Sequence, residues 1–280
     1  MVDDKKKYYD LNGYVIFDKI INEEKIDYLL KCLEDFKKAK NKYYSQSLSK
    51  WIKPSLDDHG FLIESMENFT RLAFSSGLAQ KGNDIVLSGE ILNLLRKIKP
   101  EFSEFSLWQN MLFDRSTGTP VHQDSWYLDT QPKGNLIAIW IALEDIDEKC
   151  GPFKVYPKSH KLISANELDN LTGKEFLAVC DKYSKKIEEK KIIIKKGSVL
   201  FWHPSTLHGS NFQIDEKFSR KSLTAHYYPL GAVRQYKNSK FSLKNHIKDL
   251  SGTRKIKDLP IHVGYSRFDS LIWNIKGFLT

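Results

Sequence analysis

Residues 108–148 read WQNMLFDRSTGTPVHQDSWYLDTQPKGNLIAIWIALEDIDE, with His122-Gln123-Asp124 at the centre. A histidine and a carboxylate two positions apart share one face of an extended strand, so both can reach a single metal ion. A second stretch, GSVLFWHPSTLHGS at 197–210, brings His208 84 positions after Asp124. Two imidazoles and one carboxylate form a facial triad, a donor set that suits non-haem Fe(II) and leaves coordination positions open. Spacing alone leaves a second reading in place, in which all three are ordinary polar side chains at a barrel rim.

Working outward, segments 105–113, 135–146, 152–157, 190–203 and 221–229 are short, rich in Ile, Val, Phe, Trp and Tyr, and separated by Gly, Pro and Asp turns. That pattern predicts a mainly β fold, a barrel or sandwich, over about 103–230. Between 162 and 189 a polar, helical stretch interrupts the strands and is expected to cover one face or mouth of the barrel.

The N-terminal part, about 20–100, reads as helical. Asn22 is a plausible N-cap before Glu23 and Glu24, and Ile26, Leu29, Leu30, Leu33 and Phe36 recur at helical spacing up to about Ala39. Residues 1–20 read as a solvated charged tail, a turn at Asn12-Gly13 and a strand from Tyr14 to Phe17. One or two helices are expected over 61–82, with Phe61, Leu62, Met66, Phe69, Leu72 and Phe74 on the apolar face, and another over 84–98, ended by Pro100. Asp57-Asp58-His59-Gly60 reads as a turn rather than a metal site. The last part, 231–280, is basic and irregular as far as Pro260 and then apolar enough to dock. No linker divides the chain, so one domain of 280 residues is expected.

Composition bounds the function. Forty-four Lys and Arg against 35 Asp and Glu give a net charge of +9. Such a surplus attracts anions, although a lysine-rich composition is the simpler account of it. No nucleic-acid motif accompanies it, so no nucleic-acid partner is expected. No run of eighteen apolar residues and no apolar leader core occur, so neither a membrane span nor export is expected, and a cytoplasmic location follows. Cys32, Cys150 and Cys180 are widely spaced and read as reduced thiols.

The surrounding motifs add a resemblance. His122-Gln123-Asp124, the tract WIALEDID from Trp140, CGPFKVYPKSHK at 150–161, GSVLFW from Gly197, His208-Gly209-Ser210 and RKSLTAHY from Arg220 occur in the order found in the phytanoyl-CoA dioxygenase family. The chain resembles that family of Fe(II)- and 2-oxoglutarate-dependent oxygenases over 108–229. The resemblance implies a double-stranded β-helix, a jelly-roll or cupin-like barrel, with N-terminal helices packed on one sheet. It implies Fe(II) and 2-oxoglutarate as cofactors, O₂ as co-reactant, and hydroxylation of an unactivated C–H bond with release of succinate and CO₂.

Carried over by position, His122, Asp124 and His208 match the catalytic metal ligands. Arg220 matches the residue that pairs with the distal carboxylate of 2-oxoglutarate, with Lys221 as the alternative. A guanidinium suits that task because it is planar, bidentate and permanently charged. Ser210, Trp140, Thr224 and Gln109 are further cosubstrate-site candidates, and Trp140 serves equally well as core. Trp126, Tyr127 and His226 are candidates for the substrate pocket. Lys158 and Cys150 stand where the family favours glycine and asparagine, which bears on turn geometry only. A carboxylate at 124 points to a hydroxylase rather than to the family's halogenating relatives, which carry a small residue there. The expected substrate is a small, anionic metabolite. An acyl-CoA, or a non-catalytic barrel that binds a metal or an anion, are the other readings. Oligomeric state is not legible.

Overall fold

The computed structural model describes residues 2–72, 76–237, 245–248 and 253–279. The chain opens with α1 (Val2–Asn12), β1 (Tyr14–Phe17), α2 (Glu23–Ala39), β2 (Tyr43–Ser45), β3 (Lys50–Ile52), β4 (Met66–Glu67), α3 (Ser76–Val86) and α4 (Gly89–Ile98). It continues with β5 (Phe105–Phe113), β6 (Leu128–Gln131), β7 (Ile137–Ala142), β8 (Phe153–Val155), α5 (Gly173–Ser184), β9 (Lys190–Lys191), β10 (Val199–Trp202), β11 (His208–Ser210) and β12 (Ser222–Pro229). It closes with β13 (Val233–Lys237), β14 (Asn245–Lys248), β15 (Arg254–Lys255), β16 (His262–Val263) and α6 (Arg267–Leu279).

Strand alternation explains the layers. In the largest sheet the order is β1-β10-β7-β12-β5-β4-β2-β3, with β16 added in parallel on β5. Ile137, Ile139 and Ile141 of β7, Val199 and Phe201 of β10, and Leu223, Ala225 and Tyr227 of β12 point one way, into a core shared with α2, α3 and α4. Their neighbours Ala138, Trp140, Ala142, Leu200 and Trp202 point the other way, towards Phe153 and Val155 of β8. The smaller sheet β11-β8-β9 faces them, with the Phe153 ring 5.6 Å from Trp140 and 5.0 Å from Trp202. The result is a jelly roll with helices packed on its major sheet. The site lies between the two sheets.

Local signals hold where they were strong. Asn22 caps α2, its Oδ1 accepting from the Glu24 amide at 2.7 Å. Other expectations require correction. Residues 2–12 form a helix rather than a charged tail, because Tyr9 is buried in the core and the Gly13 amide, at φ +79°, closes the turn onto the Tyr9 carbonyl. Within 61–82 only α3 is a full helix. Met66–Glu67 instead pairs with β5, the Leu62 amide donates to Asp114, and Phe69–Arg71 makes one 3-10 turn. These partners are far away in sequence, which is why helical periodicity misled there. Phe74 lies outside the described residues.

The described residues of the C-terminal part are not irregular either. β13 adds to β6, and α6 docks through Trp273, whose ring lies 4.7 Å from Tyr44 and 5.3 Å from Trp51. Parts of the basic stretch, 238–244 and 249–252, fall outside the described residues. Lys158 keeps the left-handed backbone, φ +66°, that glycine adopts without cost, at a penalty of about 1 kcal/mol. No helix among the described residues is long and apolar enough to cross a membrane.

Candidate metal and cosubstrate site

His122 and Asp124 do not share a strand, as alternation had led us to expect. His122 forms a two-way bridge with His208, N–H to carbonyl at 2.9 and 3.0 Å, and Asp124 opens a single 3-10 turn. Gln123 between them is extended, φ −119° and ψ 134°, which keeps both side chains on one side. His208 begins β11. Its neighbour Gly209 packs against the 119–120 backbone so closely that a Cβ there would lie 2.7 Å from the Thr119 carbonyl oxygen. That contact sets His208 directly beside His122.

His122, Asp124 and His208 are the one group of three metal-competent side chains found among the described residues, their donor atoms all within 4.8 Å of one another. Oδ1 of Asp124 lies 3.5 Å from Nε2 of His122 and 3.5 Å from Nε2 of His208. Each imidazole uses Nδ1–H to donate to a backbone carbonyl, His122 to Pro120 at 2.8 Å and His208 to Thr206 at 2.9 Å. Both tautomers are thereby fixed with Nε2 as the free lone pair, the arrangement a metal requires. Oδ2 of Asp124 accepts from the Trp202 indole at 2.8 Å and from His226 Nε2 at 3.3 Å.

Electrostatics agree with that donor set at Asp124 and His208, whereas at His122 burial works downward but the Asp124 carboxylate outweighs it and raises the imidazole above its ordinary value. Burial pushes Asp124 up, but His208, His226 and His122 outweigh it and hold the carboxyl well below its ordinary value. Burial lowers His208, which favours the neutral imidazole. Phe153 stacks on His208 at 5.4 Å with the rings 12° from parallel.

The triad opens on a cavity of about 330 Å³. Arg220 reaches it from just before β12. The residue is 2% exposed, and its guanidinium lies 5.3 Å from the Phe113 ring and 5.9 Å from Trp140 and has no carboxylate partner among the described residues. Its Nε and the Trp140 indole N–H are both buried donors without an acceptor among the described residues. Two orphaned donors on one cavity wall are what an incoming carboxylate would satisfy, so these residues fit 2-oxoglutarate as the triad fits iron. Lys221 points away, 3.8 Å from Asp114 and 3.7 Å from Glu144, so it does not compete for the role.

The other expected residues divide. Ser210, Thr224, Gln109, Tyr127 and His226 line the cavity. Trp126 does not. It stacks on Phe176 of α5 at 4.4 Å, 5° from parallel, and belongs to the packing that seats the 162–189 insertion. From that insertion Leu177 reaches the cavity. Asp57, in the turn before Gly60, is engaged by Arg115 at 2.7 Å. Sequence reading passed over Trp202, Phe153 and Met111. Parity along β10 is the signal that could have found Trp202, since it shares a face with Leu200 opposite Trp140.

Comparison with known proteins follows the same lines. The model of the family described as phytanoyl-CoA dioxygenase (PhyH) matches residues 9–221. Peroxisomal phytanoyl-CoA dioxygenase from Bos taurus is 30% identical over 112 residues, 39% of this chain. That segment covers only 33% of the bovine protein, about a third of its length. The phytanoyl-CoA dioxygenase domain-containing protein 1 homolog of Caenorhabditis elegans is 21% identical over 88% of this chain and 95% of its own length. Among solved structures, the epimerase SnoN in complex with Fe3+, alpha ketoglutarate and nogalamycin RO has TM-score 0.62 at 18% identity, covering 95% of this chain and 94% of that one. EctD from S. alaskensis with 2-oxoglutarate and 5-hydroxyectoine has TM-score 0.59 at 16% identity, covering 94% and 87%. These structures share the fold. With the family match extending over most of the chain, from α1 to the start of β12, this chain belongs to the phytanoyl-CoA dioxygenase (PhyH) family.

Proposed function

We propose that the chain is an Fe(II)- and 2-oxoglutarate-dependent dioxygenase that hydroxylates an unactivated C–H bond of a small metabolite. One observation carries the reading: a donor set of two imidazoles and a carboxylate opens on the same cavity as a buried guanidinium that lacks a carboxylate partner among the described residues. Iron bound there, together with 2-oxoglutarate and O₂, would supply the oxidation of C–H to C–OH, with release of succinate and CO₂.

The chain's own residues hold and orient. Nε2 of His122, Oδ1 of Asp124 and Nε2 of His208 would take one face of the metal and leave the rest for exchangeable ligands. The Trp202 indole and His226 hold Asp124 through its second oxygen, so the first is presented in a fixed direction. Arg220 would pair with the distal carboxylate of 2-oxoglutarate, flanked by Phe113 and Trp140, which keep water from the ion pair. Thr224 and Trp140 are cross-strand partners on one wall, and Ser210 lines the cavity from β11 on the facing sheet. Leu177 and Tyr127 form an apolar side of the cavity, towards α5.

The net charge of +9 favours an anionic substrate, steered by the positive field of the chain. The names of the matched relatives favour an acyl-CoA, which is the second reading. A cavity of about 330 Å³ suits a small metabolite or only the tip of an acyl chain.

The test is to add Fe(II) and 2-oxoglutarate without oxygen and to record the visible charge-transfer band of the chelate. The band is expected in the wild type and lost in His208→Ala. A folded wild type that binds Fe(II) but gives no band overturns the proposal in favour of a non-catalytic barrel.

A further inference from the structure

Alternate residues of the segment that carries the triad face two different cavities. His122 and Asp124 line the first, and Gln123 and Ser125 line a second, also of about 330 Å³. Its walls come from this segment, from β6 and β13, from the turn after β10, and from the 162–189 insertion, which supplies Ile163 and Leu168. The dioxygenase reading makes no use of this cavity.

Three buried or half-buried side chains present unmatched polar atoms there. Asp129 is 7% exposed. Its Oδ1 accepts from the amides of Thr130 and Gly134 at 2.8 and 2.9 Å, and its Oδ2 has no hydrogen-bond partner among the described residues. Gln235 stands opposite Asp129 in the β6–β13 register. Its Oε1 accepts from Gln131 at 2.7 Å, which leaves its NH2 end to donate. His203 accepts the Ser205 amide on Nδ1 at 3.1 Å, so the ring proton sits on Nε2. That nitrogen points at Gly134, 3.5 Å from where a Cβ would stand, and Gly134 lines the cavity too. The Ser125 and Ser205 hydroxyls, 3.1 Å apart, complete the polar side.

One carboxylate acceptor beside two oriented donors selects a particular functional group. An ammonium satisfies Asp129 but meets two donors, and a phosphate or carboxylate satisfies the donors but meets Asp129. At the rim Lys133 and Asp169 are exposed and of opposite sign, so they favour neither ion. A hydroxyl both donates and accepts, and several hydroxyls on one ring match all three side chains at once. Ile163 and Leu168 give the C–H face of such a ring an apolar surface to cover.

We infer that this cavity is a second binding site, specific for an uncharged polyhydroxylated ring such as a pyranose or a ribose, with Asp129, Gln235 and His203 as its recognition residues. The inference stands apart from the dioxygenase reading, since none of these three lines the first cavity.

The test is ligand-observed saturation-transfer NMR on the full chain with five ring probes: methyl β-D-glucopyranoside, methyl β-D-ribofuranoside, 2-methoxytetrahydropyran, cyclohexylammonium and cyclohexyl phosphate. At least one of the two sugars is expected to bind, and the other three probes at least about tenfold more weakly. Asp129→Asn keeps an oxygen for the two amides but turns an NH2 to the cavity, and should weaken the sugar at least about tenfold. Gln235→Leu, at a half-buried position, removes one donor and should weaken it at least about threefold, which keeps the test open if Asp129→Asn does not fold. Filling the first cavity with 2-oxoglutarate and Zn(II), which takes the same donors without redox chemistry, should leave sugar binding unchanged. Binding by neither sugar overturns the inference, as does equal or tighter binding of the hydroxyl-free, cationic or anionic ring. So does a sugar affinity unchanged in folded Asp129→Asn or in Gln235→Leu. Sugar binding abolished by 2-oxoglutarate and Zn(II) overturns it too, because the sugar then occupies the first cavity.

Discussion

Replacing Arg220 by methionine should move stability and cosubstrate binding in opposite directions. In the folded chain the guanidinium is fully buried and has no carboxylate beside it among the described residues. Burial lowers it from its ordinary value to about 10, and the pull of Cys150 and Glu144 does not make up the difference. A cation whose folded value lies below its unfolded value costs stability at every pH beneath both. The cost is fully expressed at neutral pH and is relieved only as pH rises through about 10 towards the ordinary arginine value. The drop corresponds to about 3 kcal/mol, which is an upper bound on what methionine, keeping most of the apolar stem, would restore to the empty protein. The same change removes the partner of a buried carboxylate in the loaded protein. That loss is about 2–5 kcal/mol, or about 30- to 5000-fold in Kd for 2-oxoglutarate. Urea unfolding of the metal-free protein and titration of the anaerobic band with 2-oxoglutarate measure the two effects. An arginine kept only for packing gives the opposite pattern, lower stability with unchanged Kd, and that result would refute the reasoning.

Two further outcomes test the frame around the site. Gly209→Ala brings a Cβ to 2.7 Å from the Thr119 carbonyl and 3.3 Å from Pro120, so β11 must move away from the segment that fixes His122. Fe(II) affinity, measured by titration, should fall at least about tenfold, and an unchanged affinity would show that the close approach does not position the triad. His203 is pulled down to about 3 by burial, with His160, Lys99 and Lys161 adding to it. The unfolded chain therefore binds more protons between about 3 and 6.5, and stability falls as pH drops below 6.5, by at most about 1.4 kcal/mol per pH unit from this residue. Denaturation at pH 7 and pH 5.5 should show a smaller loss in His203→Gln than in wild type, and equal losses would exclude the assignment.

The family motifs, the strand segments of the barrel and α2 were legible in the sequence because each is carried by local signals: alternation, a capping asparagine, a fixed run of residues. Tertiary structure decided the rest. The helix at 2–12 forms around a tyrosine buried by distant elements, and β4 exists only because β5 offers it an edge. Trp126, which the sequence placed in the pocket, was claimed by Phe176 from an insertion some fifty residues on. The site itself follows the same division. The sequence supplied two histidines, an aspartate and an arginine. Which nitrogen of each ligating imidazole is free is set by carbonyls two residues away, but which tryptophan and which histidine hold the aspartate is fixed by hydrogen bonds between segments 78 and 102 residues apart. No local pattern encodes such contacts, because they are made only when the two sheets close on each other.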